Sequence, residues 1–162
     1  YNETKFYPKT VEKVLKTLTA INNVGPNKTG YVLVGVGDSE EDAKKYCELY
    51  GGEYTLEGDF PIVGIEHDAK ALGLSIDRYS HNIKEYIKNS QTISEAYKKH
   101  LLTNMKTPML YGKQLIIFKT CYTEPVPYDN IYYTREFTDV IKLEPSQYPQ
   151  LFSDYYSDSA LK

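Results

Sequence analysis

The chain is poor in the residues that staple small folds or cross membranes. It has two cysteines in 162 residues, Cys47 and Cys121. Two thiols cannot hold a fold of this length, so a disulfide-rich scaffold is excluded. Two free, buried thiols in a cytosolic protein are expected instead. No apolar run approaches the roughly 20 residues that span a bilayer, which excludes a helical membrane span. The first residues show no basic-then-apolar signal pattern, and a chain opening on Tyr1 is expected to be a piece of a longer protein. Arginine is scarce: Arg78 and Arg135 are the only two among 19 Lys and Arg residues. The net charge of −3 supplies no global pull on nucleic acid, so binding of that kind needs a local basic face.

Strong metal and phosphate signatures are also missing. No His-x-x-x-His or Cys-x-x-Cys pair occurs, so Glu66-His67-Asp68, with His81 and His100 elsewhere, reads as a helix start and no metal site is assigned. The stretch Gly30 to Tyr46 has the strand, glycine turn and helix start of a phosphate loop. Gly35-Val36-Gly37 nevertheless lacks the third glycine of the dinucleotide fingerprint and the Gly-Lys-Ser/Thr ending of a P-loop. Asp38, Glu40, Glu41 and Asp42 stand where a phosphate would sit and would repel it.

What is present is ordinary for one globular domain, with 41% hydrophobic and 25% charged residues. The 17 tyrosines fit the codon bias of an AT-rich genome. Val11, Val14, Leu15, Leu18 and Ile21 share one helical face, with Pro8 in the first turn and Asn22-Asn23 and Gly25-Pro26 at the end. Tyr31 to Val36 is nearly continuous and β-branched, which predicts a central strand covered on both faces. Asp38 or Ser39 caps a helix that Gly51-Gly52 stops. A second strand is predicted at Phe60 to Ile65, a long helix from about Ile76, and less regular helix over Ser90 to Asn104. Strands follow at Met109–Tyr111, Leu115–Phe118, Ile131–Thr134 and Val140–Leu143, with a hairpin turn at Tyr111–Gln114.

Basic residues fall in stripes. Lys5, Lys9, Lys13 and Lys16 recur at helical spacing, as do Lys84 and Lys88, and Lys98-Lys99-His100 with Lys106 forms a further cluster. Each is the expected solvated face of an amphipathic helix unless two of them share a surface.

The order of several stretches resembles the Schlafen-type AlbA-like domain. That family has a helix ending Ala-Phe-Ala-Asn, a glycine turn, and a strand ending Gly-Val-x-Asp. Here Ala20-Ile21-Asn22-Asn23, Gly25 to Gly30 and Gly35-Val36-Gly37-Asp38 are similar. Leu115-Ile116-Ile117-Phe118, Pro125 to Pro127 and Tyr132-Tyr133-Thr134-Arg135 resemble the family's later strand, proline loop and Tyr-Tyr-Arg segment. The resemblance covers most of residues 9–143. The family's Glu-Phe-Lys strand is echoed only loosely by Glu3-Thr4-Lys5-Phe6, and Phe137 stands where the family has glycine.

The resemblance implies an α+β fold with a mixed, largely antiparallel sheet flanked by helices. It places one domain at residues 1–145, with 146–162 as a terminal helix or linker. It also implies a nucleic-acid-binding regulatory or defence module of a larger bacterial protein, more a binding module than an enzyme. Lys28, Lys84, Lys88 and Arg135 would then meet phosphates, with bases stacking on tyrosines. One alternative is a metal-dependent endoribonuclease using Asp38 and Glu3 with Mg²⁺ or Mn²⁺. Another is ATP or nucleotide binding at the loops carrying Asn23, Gly30, Gly35 and Gly37. The partner expected is DNA or RNA, with no membrane, and the reading leaves room for a homo-oligomer.

Overall fold

The computed structural model describes residues 6–160, and its spine is the first predicted helix. The elements are α1 (Phe6–Asn22), β1 (Gly30–Val34), α2 (Glu40–Tyr50), β2 (Thr55–Glu57), β3 (Phe60–Ile62), α3 (Glu66–Ala71), α4 (Ile76–Asn89) and α5 (Glu95–Asn104). They continue with β4 (Met109–Leu110), β5 (Lys113–Gln114), β6 (Ile116–Thr120), β7 (Tyr133–Glu136), β8 (Asp139–Lys142), a 3₁₀ turn at Pro145–Gln147, and α6 (Tyr148–Ala160). This is an α+β fold. No helix among the described residues is long and apolar enough to cross a membrane.

Local chemistry sets the helix ends. The hydroxyls of Ser39, Ser75 and Ser94 accept from the backbone N–H groups of Asp42, Arg78 and Tyr97, capping α2, α4 and α5. Gly51, at φ +82°, ends α2 in a conformation that side chains resist. The apolar stripe of α1 buries Val11, Leu15 and Leu18 against Tyr79, Ile83 and Ile87 of α4, Tyr97 and Leu101 of α5, and Ile116 and Phe118 of β6. Each such side chain contributes about 1.5–3 kcal/mol relative to exposure.

The sheet differs from the expectation. All strand pairing among the described residues is antiparallel, in four two-stranded ladders: β1–β6, β2–β3, β4–β5 and β7–β8. Single bridges at Val36–Ile62 and Lys106–Ile117 tie neighbouring pieces together. No parallel pair occurs among the described residues to make the sheet mixed. β1 is not the central strand expected either, because β6 is its only ladder partner among the described residues. Its inner residues Val32 and Val34 pack on the core, while Tyr31 and Leu33 remain 55% and 46% exposed. A continuous apolar run looks the same in both settings, and only the missing second neighbour distinguishes them. The strand expected at Phe60 to Ile65 ends at Ile62 and pairs with Thr55–Glu57 in a hairpin turning at Gly58-Asp59.

The terminal segment is a docked helix. Leu151 and Tyr155 are buried with Leu143, and the Tyr155 hydroxyl donates to the Asn22 carbonyl at the end of α1. The Tyr132 ring lies edge-on to Tyr148 and Phe152, at 4.9 and 5.4 Å between centroids.

Candidate nucleic-acid interface

The residues of the Asn-Asn segment are turned inward. Asn23 donates through Nδ2 to the Val126 and Tyr133 carbonyls and accepts from Val126 N–H, each at 2.8 Å. Asn22 accepts from the Thr120 hydroxyl at 2.8 Å and Tyr122 N–H at 2.9 Å, and donates to the Glu124 carbonyl at 2.9 Å. Both side chains hold the 120–133 segment against α1, and Asn23 has no donor left for a nucleotide.

The glycines serve close packing. A Cβ on Gly30 would lie 2.0 Å from Ile21 Cγ2, so the start of β1 meets α1 without a side chain. Gly35, at φ +99°, offers its carbonyl to Val63 and Gly64 N–H at 2.9 Å each. Gly37 N–H donates to the Pro61 carbonyl at 2.9 Å. Gly35 and Gly37 frame a cleft of about 300 Å³ lined also by Asp38, Asp42, Tyr46, Gly64 and Asp68. Its carboxylates disfavour phosphate, as the sequence indicated. Asp38 is exposed, and Asp42 accepts from the Ser39 hydroxyl at 2.8 Å. Glu3 and Lys5 lie outside the described residues. Among the described residues no three His, Cys, Asp or Glu side chains converge to hold a metal ion. Glu66-His67-Asp68 opens α3, with the Glu66 carboxylate accepting from Gln114 N–H.

The basic stripes divide. Lys98, expected in an exposed cluster, is 4% exposed and donates to the Lys88 carbonyl at 3.1 Å and to Glu95 at 2.7 Å. Lys88 pairs with Glu85 at 3.1 Å, while Lys84 stands exposed on α4. Lys28 is exposed in the loop leading into β1. Lys16 of α1 lies over the Tyr133 ring of β7, 4.4 Å from its centroid. Arg135 donates through Nε to the Phe137 carbonyl at 3.0 Å, bracing the β7–β8 turn. Lys16 of the α1 stripe therefore meets β7, the strand that carries Arg135, and no hydrogen bond or ion pair among the described residues links Lys84 or Lys88 to Arg135. Both thiols are free, but Cys47 is only half-buried and Cys121 is exposed, so the buried pair expected from sequence is not found.

Sequence reasoning missed a partly exposed apolar and basic surface, the outer face of the β1–β6 ladder. Tyr31 pairs with Lys119 and Leu33 with Ile117, and Lys106 bridges Ile117 from its other side. Paired residues point to the same face, so these five form two adjoining rows. Neither strand contains a carboxylate. Lys106 and Lys119 make no salt bridge among the described residues. An aromatic ring, two aliphatic side chains and two unpaired ammonium groups thus share an open face on a chain of negative net charge. The signal available in the sequence was the alternation Tyr31/Leu33 against Val32/Val34, which was masked because every one of those residues is apolar.

One carboxylate was also missed. Glu12 accepts hydroxyl hydrogen bonds from Tyr86 at 3.0 Å, Ser90 and Thr92 at 2.9 Å, and Tyr128 at 2.7 Å. Burial opposes its ionisation, but the four hydroxyls outweigh burial and hold its pKa below the usual carboxylate value. Burial first, and then the same contact with Glu12, push the Tyr128 phenol up. With both oxygens engaged, Glu12 is a structural anchor.

No protein-family model matches the chain, and no curated protein or solved structure matches it significantly.

Proposed function

We propose that the chain is a nucleic-acid-binding module that takes a single strand on the outer face of β1–β6. The observation that carries this reading is the carboxylate-free face of Tyr31, Leu33, Ile117, Lys119 and Lys106. An exposed ring beside unpaired ammonium groups suits a base stacked next to its own phosphates. The resemblance to the Schlafen-type AlbA-like domain favours the same activity, within a larger regulatory or defence protein. Lys28 is exposed in the loop that leads into β1.

Fluorescence anisotropy with labelled single-stranded DNA and RNA oligonucleotides tests this. Affinity is expected to fall steeply between 50 and 200 mM salt, since phosphate contacts release counterions. Tyr31→Ala is expected to weaken binding about tenfold, in line with the stacking energy of one base. A flat salt response, or unchanged affinity for Tyr31→Ala, would overturn the reading.

A further inference from the structure

The opposite side of β1 borders a cavity of about 330 Å³. Thr10 of α1, Val34 of β1, Tyr46 and Tyr50 of α2, and Asp68 and Leu72 of α3 and its end line it. The volume falls in the range of small-molecule sites, and the walls are aromatic and aliphatic apart from one carboxylate and the Thr10 hydroxyl. Asp68 accepts the Tyr46 hydroxyl on Oδ1 at 2.8 Å. Its Oδ2 has no hydrogen-bond partner among the described residues. Burial raises the Asp68 carboxyl above its ordinary pKa, with the Tyr46 bond and the nearby His67 acting the other way. A carboxylate so placed is costly to the fold unless a counter-charge reaches it.

The surroundings specify the sign of that counter-charge. Tyr46 and Asp68 also line the adjoining cleft, which carries Asp38 and Asp42. Among the described residues no lysine or arginine lines either space. Anions are repelled there, and a cation is drawn in.

We propose that the Asp68–Tyr46 cavity binds an organic cation, an ammonium or guanidinium group carried on a short apolar stem. The charged head meets Asp68 Oδ2 in a charge-assisted hydrogen bond. The stem lies against Val34 and Leu72, in a wall completed by Tyr46 and Tyr50, whose rings are 5.0 Å apart and tilted by 48°. The site shares no residue with the outer β1–β6 face, so it stands whether or not nucleic acid binds there. A free amine or guanidine, and an arginine or lysine side chain of a partner, present the same chemistry.

Isothermal titration tests the site with agmatine, a short peptide carrying one internal arginine, and the neutral isostere butylurea, on the protein and on Asp68→Asn. The variant keeps an acceptor for Tyr46. Burial raises the carboxyl pKa, so the ionised form costs the native state and a neutral amide is expected to be tolerated, which thermal denaturation of Asp68→Asn checks. At least one cation is expected to bind with a Kd below about 1 mM. Butylurea is expected not to bind, and Asp68→Asn to weaken the cation at least tenfold. Binding of agmatine identifies a free cation, and binding of the peptide alone identifies a partner side chain. No binding in either arm, equal binding of butylurea, or equal binding by Asp68→Asn would overturn the proposal.

Discussion

The Tyr128 hydroxyl donates to Glu12 Oε2 at 2.7 Å, joining the first helix to a loop 116 residues later. Three more hydroxyls meet the same carboxylate from the end of α4 and the turn after it. One ionised side chain thereby fixes α1, α4 and the 128 loop relative to each other.

Glu12→Ala is expected to destabilise the fold by about 3 kcal/mol, since it strands several partly buried hydroxyls. Urea denaturation at pH 7 measures this. The pH dependence follows from the sign of the shift. A carboxyl held below its unfolded pKa contributes stability above that value and loses it as pH falls through the folded pKa. The gap between wild type and Glu12→Gln should therefore narrow as pH is lowered from 6 toward 3. A gap constant with pH would remove the ionised form from the account.

Phe137 supplies a test of strain. Glu136 pairs with Asp139, leaving Phe137 and Thr138 as a two-residue hairpin loop, and Phe137 takes φ +53° with 99% of its surface exposed. Its ring packs on nothing, while the backbone adopts a conformation that glycine prefers. Phe137→Gly is expected to stabilise the protein by roughly 0.5–1 kcal/mol, the left-handed penalty less the entropy of a freer unfolded chain. Thermal denaturation should show Tm rising by about 1–4 °C. A lower Tm would mean the turn is not strained by its ring.

Asn23 is 3% exposed and makes three side-chain hydrogen bonds to backbone groups of the 126–133 segment. Asn23→Ala is expected to cost about 3 kcal/mol, because a buried N–H and two carbonyls lose partners together. If Asn23 served a ligand instead, the variant would keep its stability, and denaturant unfolding separates the two cases.

What the sequence revealed was what neighbours along the chain decide. The Ser39 cap of α2 and the stop at Gly51 depend on groups within four residues, and both could be read directly. The α1 stripe was legible because Val11, Leu15 and Leu18 repeat at the helical period. β1 was placed correctly and embedded wrongly, since its number of ladder partners is set by β6, some 80 residues away. Lys98 was misread for a related reason. Nothing near it in sequence indicates that the Lys88 carbonyl at the end of α4 will bind its ammonium. Glu12 drew no attention because its four partners are scattered from Tyr86 to Tyr128. The β1–β6 face was hidden in the same way, as Lys106 and Lys119 become neighbours of Tyr31 and Leu33 only through strand register.

That register separates two candidate phosphate surfaces by salt dependence. Lys106 and Lys119 flank the sheet face without carboxylate partners, whereas Lys88 on α4 is paired with Glu85 and Lys84 stands on the same exposed helix. Each phosphate neutralised on a single strand contributes about 0.7 to the slope of log affinity against log salt. Removing two contacts should lower the slope by about 1.4. The double variant Lys106→Gln/Lys119→Gln is expected to show that loss, measured by anisotropy across a salt series. Lys84→Gln/Lys88→Gln is expected to leave the slope unchanged and the affinity within about twofold, the size of a distant charge effect at moderate salt. The opposite pattern would move the strand onto α4, with Tyr31 then irrelevant to affinity. Equal losses in both variants would point to a diffuse electrostatic contact and remove the special role of the sheet face.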